Sequence, residues 1–161
     1  VQKGLKAILK LKPIFTTIHI SGGDVMQRES ILKNNIKTKI LGVTVLTSLD
    51  RNQTSKYYKE KNINNLVKKF ARYAYKNNLN GLVCSPLEID ILRKEIGKKM
   101  ILVVPGIRPE NKLTSKNDDQ KRTLTPKQAI KLGADFLVIG RPIIESRDPL
   151  KTLKKINQSI Q

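Results

Sequence analysis

The chain has 161 residues, of which 39% are hydrophobic, and this length and composition suit one folded domain rather than a disordered chain. A single Cys excludes an internal disulfide bond, and one Cys with one His cannot form a Cys/His metal site by themselves. The net charge of +19, from 32 Lys or Arg against 13 Asp or Glu, favours anionic partners such as nucleic acid or phosphorylated metabolites.

Five short apolar runs along the chain predict five β-strands. FTTIHI (residues 15–20) is closed by Ser21-Gly22-Gly23, and ILGVTVL (residues 40–46) is nearly unbroken and rich in β-branched residues, as expected of a strand buried on both faces. The remaining strands are predicted at residues 81–84, 101–104 and 136–139.

Helical patterns separate these strands. We predict helices at residues 1–12, from residue 24 to about residue 34, at 66–78, at 86–96, from residue 125 onward and from residue 148 to about residue 159. Residues 50–62 are polar and lack a helical period, so they are predicted to be irregular. Alternating helices and short apolar strands predict a parallel α/β sheet covered by helices.

The pattern leaves two parallel architectures open, a doubly wound sheet and a (β/α)₈ barrel. The glycine fingerprint of dinucleotide-binding folds follows none of the predicted strands, and no P-loop is present. Both absences count against a Rossmann interpretation. No linker or repeat divides the sequence, so we expect a single domain over residues 1–161.

Polar residues at the carboxyl ends of three predicted strands mark a candidate ligand site, because parallel α/β proteins bind ligands there. Thr47-Ser48 follows the second strand, Arg108 lies in a Pro-Gly turn after the fourth, and Gly140-Arg141 follows the fifth. A glycine lets backbone N–H groups approach an anion, and an adjacent arginine adds charge-assisted hydrogen bonds. Gly140-Arg141 is therefore predicted to bind phosphate.

A long polar segment at residues 107–124, which includes Gln120, is predicted to be a lid, because unstructured loops of this length are commonly functional. Taken alone, each of these polar residues also has an ordinary structural interpretation as a turn or capping residue, or as a solvated loop side chain.

Eight stretches taken together resemble the orotidine 5′-phosphate decarboxylase family in its bacterial form. They are I-H-I-S-G-G (18–23), V-T-V-L-T-S (43–48), G-L-V-C-S (81–85), V-P-G-I-R-P (104–109), D-D-Q-K-R (118–122), T-P-K-Q-A (125–129), G-A-D-F-L-V-I-G-R-P-I (133–143) and D-P-L-K-T-L-K-K-I (148–156). The resemblance implies a cytoplasmic enzyme with a (β/α)₈ barrel, homodimeric at full length. Such an enzyme converts orotidine 5′-phosphate to UMP and CO₂ without a cofactor or metal, in pyrimidine biosynthesis.

The resemblance also implies roles for individual residues. Thr47 matches the family residue that hydrogen-bonds the pyrimidine. Arg108, Gln120 and Arg141 match residues around the substrate phosphate and its closing loop, and Gly140 matches the position whose backbone N–H faces that phosphate.

The sequence departs from the family pattern in one respect that concerns catalysis. The family's chemistry rests on a D-x-K-x-x-D-I-P-N-T stretch, and no D-x-K-x-x-D occurs in this sequence. Val1-Gln2 aligns immediately after that stretch, and such a barrel needs roughly 200 residues or more. We therefore expect the last five of eight strands, no catalytic residue in this chain, and no activity from the chain alone.

Two other functions stay open at this point. A related phosphosugar barrel, such as a hexulose-phosphate synthase, shares the phosphate site, although T-V-L-T-S and P-G-I-R-P argue against it. A non-catalytic basic fragment that binds polyanions is the other, but 24 of the basic residues are Lys dispersed along the chain, which argues against specific nucleic-acid binding. No apolar run approaches the length of a membrane span, and the Lys-interrupted amino-terminal stretch is not expected to be a signal peptide.

Overall fold

The computed structural model describes residues 1–31, 37–46, 48–109 and 123–161. These residues form one five-stranded parallel sheet with the strands in chain order: β1 (Phe15–His19), β2 (Lys39–Val43), β3 (Gly81–Val83), β4 (Ile101–Val104) and β5 (Phe136–Leu137). A strand is present at each of the five predicted places, but the predicted ends of two are wrong: β2 ends at Val43 rather than residue 46, and β5 ends at Leu137 rather than residue 139. A doubly wound sheet reverses its strand order at a switch point, and this sheet has no reversal, so the strands wind in one direction only.

Eight α-helices accompany the sheet in the described residues. They are α1 (Gln2–Leu9), α2 (Gly23–Ser30), α3 (Arg51–Tyr58), α4 (Ile63–Lys76), α5 (Ile89–Ile96), α6 (Pro126–Leu132), α7 (Arg141–Ile144) and α8 (Pro149–Ser159), with short 3₁₀ turns at Ile20–Gly22 and Pro86–Glu88. Six of the helices correspond to predicted ones. Helix α2 was predicted to extend to about residue 34, but it ends at Ser30 and Ile31 is already extended, so the prediction is wrong at Ile31. Residues 32–36 lie outside the described part.

The prediction that residues 50–62 are irregular is wrong, because they contain helix α3. Asp50 and Gln53 form a reciprocal capping box in which the Asp50 carboxylate accepts the Gln53 N–H at 2.9 Å and the Gln53 amide oxygen accepts the Asp50 N–H at 3.1 Å. Thr54 is the only fully buried residue of this helix. Its apolar contact with the core is made at its last residue, Tyr58, whose ring packs edge to face on Phe70, so the helix begins at a polar cap and has no hydrophobic period.

One face of the sheet carries the hydrophobic core. Ile18, Ile40, Leu82, Leu102 and Val104 alternate along the strands and pack with apolar residues of α1, α4, α5 and α6. The residues at the intervening positions point to the opposite face, since successive side chains of a strand alternate. Leu41 and Val103 lie on that second face and are buried without belonging to the helix-packed core. The helices thus cover a single face, as in a barrel and unlike a doubly wound sheet.

The sheet is strongly curved around this second face. Phe15 at the start of β1 and Phe136 at the start of β5 belong to the two edge strands, yet their ring centroids are 4.9 Å apart. The register places both side chains on the concave face. The fold is therefore five consecutive strand–helix units of a (β/α)₈ barrel. Within the described residues, no helix combines the length and apolar character needed to cross a bilayer.

Candidate functional site

The carboxyl ends of the five strands meet at one rim of the curved sheet because the strands are parallel. The rim-facing segments follow β2 at Thr44, β3 at Cys84, β4 at Pro105 and β5 at Val138. Of the residues predicted from sequence to contact substrate, Arg108, Gly140 and Arg141 are described and all three lie in segments that follow β4 or β5. Thr47 and Gln120 lie outside the described residues.

The segments that carry Arg108 and Gly140-Arg141 are neighbours in space. Strands β4 and β5 pair directly, and beyond the paired residues the Val138 N–H donates to the Val104 carbonyl at 2.9 Å. Pro109 and Pro142, which directly follow the two arginines in the sequence, line the same cavity of about 800 Å³. The structure thus brings the two arginine-bearing turns to one part of the rim.

Gly140 and Arg141 form the start of the short helix α7. Gly140 is its N-cap, and the Gly140 carbonyl accepts the N–H groups of Ile143 and Ile144 at 2.8 and 3.1 Å. A Cβ atom placed on Gly140 would meet no heavy atom within 4 Å, so the space beside this backbone is open. Pro142 has no N–H, and the N–H groups of Ile143 and Ile144 are already used on the Gly140 carbonyl. What the turn offers an anionic group is therefore the open space beside Gly140 together with the Gly140 backbone N–H and the Arg141 side chain.

Arg108 lies on a turn that is fixed to the far end of the lid segment. Gly106 adopts a positive φ of 77°, a conformation that glycine allows at no steric cost, and the chain turns here directly after β4. The Arg108 N–H donates to the Leu124 carbonyl at 2.9 Å, and Ile107 and Leu124 form an isolated bridge. Both ends of the predicted lid are thereby joined, while residues 110–122 lie outside the described part.

The Arg108 side chain is buried, with 5% of the residue exposed, and its guanidinium donates to the Ile107 carbonyl at 3.0 Å. The interpretation of Arg108 as a solvated loop residue is therefore wrong. Arg108 is thus a buried positive charge on the segment that follows β4, the strand paired with the one that leads to Gly140-Arg141.

A buried polar cluster at the ends of β2 and β3 was missed by sequence reasoning. Thr44, Ser85 and Glu88 are each at most 1% exposed. One carboxylate oxygen of Glu88 accepts the Ser85 N–H at 3.1 Å and lies 3.4 Å from the Thr44 hydroxyl oxygen. The S-x-x-E spacing at 85–88, the signature of a capping box directly after an apolar strand, is the signal that could have identified it.

Cys84 lies beside this cluster and is 2% exposed. Burial raises the pKa of its thiol well above the ordinary value, and the neighbouring Glu88 carboxylate raises it further. A thiol that stays protonated is a poor nucleophile. The prediction that Cys84 is a core residue is confirmed, and its low reactivity stays a prediction. In the described ranges, no group of three His, Cys, Asp or Glu residues is arranged to hold a metal ion.

Comparison with protein families gives a match over residues 1–156 to the family described as orotidine 5′-phosphate decarboxylase / HUMPS. The matched range covers all five strands and the three described rim residues.

Curated relatives cover the chain almost completely. An orotidine 5′-phosphate decarboxylase from Wolbachia pipientis is 41% identical over 161 residues, which are 99% of this chain and 70% of the relative. The enzymes of that name from Dictyoglomus thermophilum and Coxiella burnetii are 39% and 40% identical over the whole chain, and the match spans 68% and 69% of their lengths.

A solved structure agrees with the fold. The crystal structure of orotidine 5′-phosphate decarboxylase from Lactobacillus acidophilus superposes with a TM-score of 0.80 at 30% sequence identity. The superposition covers 99% of this chain and 69% of that protein. The chain thus corresponds to about seven tenths of the length of the relatives that it matches.

Proposed function

The chain belongs to the orotidine 5′-phosphate decarboxylase / HUMPS family, and we propose that it is the part of an orotidine 5′-phosphate decarboxylase that binds the substrate phosphate and one edge of the pyrimidine. The observation that carries this proposal is the identity of about 40% to enzymes of that name over the whole chain, which includes the rim segments with Arg108 and Gly140-Arg141. The proposed reaction converts orotidine 5′-phosphate to UMP and CO₂.

The phosphate is proposed to bind between the ends of β4 and β5. Gly140 supplies backbone N–H in open space, Arg141 supplies a guanidinium at the same turn, and buried Arg108 supplies a second positive charge. Gln120 is proposed to reach the phosphate from the lid. These groups favour an anion because charge-assisted hydrogen bonds are stronger than neutral ones.

The pyrimidine is proposed to bind near the end of β2, where Thr47 follows the buried residues Thr44 and Val45 and the exposed Leu46. The phosphate and base would then contact separate strand ends of one rim. Binding energy from the remote phosphate can in this way be used to hold the reacting ring in position.

The carboxylates and the lysine of the family's D-x-K-x-x-D stretch are not among these 161 residues. We therefore propose that this chain alone binds UMP weakly and does not decarboxylate orotidine 5′-phosphate. General acid catalysis contributes typically 10² to 10⁴-fold, and the electrostatic contribution of the same stretch would be absent as well.

The experiment that tests the proposal has two arms. Decarboxylation of orotidine 5′-phosphate is followed by ultraviolet absorbance with the purified 161-residue chain, and no turnover above the protein-free rate is expected. Binding of UMP and of a pentose 5-phosphate is then compared by isothermal titration calorimetry, and tighter binding of UMP is expected. Equal or tighter binding of the pentose phosphate would favour the phosphosugar branch of the family instead.

Three further properties are proposed: a single domain over residues 1–161, from the undivided sequence, and, from the resemblance, a homodimer for the full-length enzyme and a cytoplasmic location. Light scattering of the full-length enzyme tests the second, since it should give twice the monomer mass.

A further inference from the structure

The five strands of the described structure leave one side of the cylinder open. Strands four positions apart lie opposite each other in an eight-stranded barrel, and the contact between Phe15 of β1 and Phe136 of β5 over the concave face fits that arrangement. Four strand-to-strand steps therefore separate β5 from β1 across the opening. These steps accommodate three further strands.

The backbone of β1 presents unpaired groups along this opening. The Lys39 N–H of β2 donates to the Ile14 carbonyl, so the backbone groups of Ile14 and of every second residue after it face β2. The N–H groups of Phe15, Thr17 and His19 accordingly point away from β2, to a side on which the described residues place no strand. An edge of this kind is a template for a further strand.

The concave face is also uncovered at both edges of the sheet. Thr17 of β1 is exposed, and Phe136 of β5 and Val138 directly after it are 46% and 50% exposed. On the middle strands, the concave-face residues Leu41 and Val103 are buried. Side chains that would fill the interior of a closed barrel therefore stay in contact with solvent along the opening.

A groove of about 450 Å³ beside β1 continues this apolar surface. Leu5 and Ile8 of α1, Thr17 of β1 and Met26 of α2 are among the residues that line it. Ile8 is apolar and nevertheless 42% exposed. An added strand with a helix packed on it would bury this groove.

The two helices that border the opening are basic. Helix α1 lies beside α2 and α8 lies beside α6, so α1 and α8 end the outer layer on either side of the opening. Neither helix contains an acidic residue, and their exposed lysines are Lys3, Lys6, Lys151, Lys154 and Lys155. Within the described ranges these lysines form no ion pair. A partner with acidic residues on its helix edges would complement this charge.

We propose that the open side of the sheet is a docking surface for a polypeptide of three strand–helix units. Its strands run parallel to β1 and β5 and close the cylinder between them, and its helices carry acidic residues toward α1 and α8. A second copy of this chain does not fit, because it would bring five strands to a space for three. The inference rests on the proposed function only where the activity of the complex is measured.

The test co-expresses the 161-residue chain with a probe polypeptide and purifies both through a tag on the chain. The probe is the part of the Wolbachia pipientis orotidine 5′-phosphate decarboxylase that precedes its match to this chain, at most three tenths of that protein. Light scattering should show the two polypeptides in equal numbers. The amides of Phe15, Thr17 and His19 should exchange at least about tenfold more slowly in the complex, while exchange at Leu82 of β3 should change little.

Two substitutions at one position separate strand addition from non-specific adhesion. Thr17→Pro removes the N–H that faces the opening and breaks no hydrogen bond of the existing sheet, so the variant should fold. It should reduce the amount of probe that co-purifies by at least about tenfold. Thr17→Val keeps the N–H and should retain the probe as the parent chain does.

Charge reversal tests the acidic contact. Lys3→Glu combined with Lys6→Glu should reduce the retained probe by about 3- to 10-fold at low ionic strength, and by less at high salt. Lys69→Glu combined with Lys76→Glu is the matched control. It changes the net charge equally on α4, which packs against β3 and α5 away from the opening, and should retain the probe.

The outcomes distinguish this inference from the proposed function. Recovery of the chain without the probe, or as a dimer of the chain that excludes the probe, overturns the docking surface. Retention of the probe by Thr17→Pro to the level of the parent also overturns it. If the complex forms with the expected protection but does not decarboxylate orotidine 5′-phosphate, the docking surface stands and the proposed function fails. If Thr17→Pro does not fold, the two pairs of lysine substitutions decide the question by the same retention.

Discussion

The rings of Phe15 and Phe136 meet edge to face, at an interplanar angle of 70°, although three strands separate the strands that carry them. Four strand-to-strand steps across a flat sheet would place the edges about 19 Å apart. Contact over the concave face requires the sheet to curl by about half a turn. Strands four positions apart lie opposite each other in an eight-stranded cylinder, and alternate strands fill the same interior layer. The contact between the two rings thus reports the curvature of an eight-stranded barrel.

Truncation of one ring tests this contact. Phe136→Ala should lower the free energy of unfolding by about 1–2 kcal/mol, less than a fully buried Phe would give, because Phe136 is 46% exposed. Urea denaturation followed by circular dichroism measures it. Tyr57→Ala is the control, since Tyr57 is 67% exposed on α3 and should change stability by less than about 0.5 kcal/mol. Equal effects of the two substitutions would mean that the rings do not stabilise the curved sheet.

Arg93 stabilises the rim opposite the proposed site. Its guanidinium donates to the carbonyls of Gly133, Gly97 and Met100 and pairs with Asp135 at 2.6 Å. Arg93→Lys should destabilise the chain by about 1–3 kcal/mol, because a lysine cannot satisfy this set of acceptors.

The matched control is Arg72→Lys, which alters an exposed ion pair with Glu95 and should leave the urea midpoint unchanged. Under conditions in which the variant is folded, Arg93→Lys should also bind UMP with the affinity of the parent chain. A loss of UMP affinity in the folded variant would contradict a purely structural role for Arg93.

Substitution of glycine by alanine should have opposite effects on stability at Gly81 and Gly4. A Cβ at Gly81 would lie 2.5 Å from the backbone oxygen of Ile101 on the neighbouring strand, which cannot move aside cheaply. Gly81→Ala should therefore cost about 1–3 kcal/mol. A Cβ at Gly4, inside α1, would meet nothing within 4 Å, and Gly4→Ala should stabilise the chain by about 0.5–1 kcal/mol. Thermal and urea unfolding of both variants check the signs, and a stabilising Gly81→Ala would contradict the strand spacing described here.

The buried thiol of Cys84 should make the free energy of unfolding depend on pH in the alkaline range. Burial raises the pKa of its thiol in the folded chain above the ordinary value of 9.0, so the folded state holds this proton more tightly than the unfolded state. The corresponding stability is fully present below about pH 9 and is lost as the pH rises from there through the folded pKa.

Between about pH 8 and about pH 10, the parent chain should thus lose more free energy of unfolding than Cys84→Ala does, as measured by urea denaturation at each pH. At about pH 8 the folded thiol should also react with a disulfide reagent only as fast as the chain opens. Rapid labelling of the folded chain would contradict its burial.

The sequence was sufficient to predict the strands because each is an apolar run ended by glycine, proline or polar residues. It could not distinguish a barrel from a doubly wound sheet, since both produce the same alternation of strands and helices. The two folds are distinguished by the order of the strands and by whether helices pack on one face of the sheet or on both. Both are tertiary properties.

The main errors of the sequence-based prediction concern structure that is held by polar contacts, which leave no apolar period in the sequence. Helix α3 begins at the capping box of Asp50 and Gln53, which periodicity does not detect. The link from Glu88 to Thr44 joins residues 44 positions apart, so sequence reasoning could at most have found the capping spacing at 85–88. Arg108 and Gly140-Arg141 were predictable because both follow strands whose carboxyl ends share one rim.

The most direct test of the central claim is the place where UMP binds on the chain. Backbone amide chemical shifts are recorded by ¹⁵N NMR during titration with UMP and with ribose 5-phosphate. Gly140, Arg141 and Arg108 should show the largest shifts with both ligands. Shifts concentrated instead on lysine-rich helix faces, such as Lys69 and Lys76 of α4, would show a non-specific polyanion surface and contradict that claim.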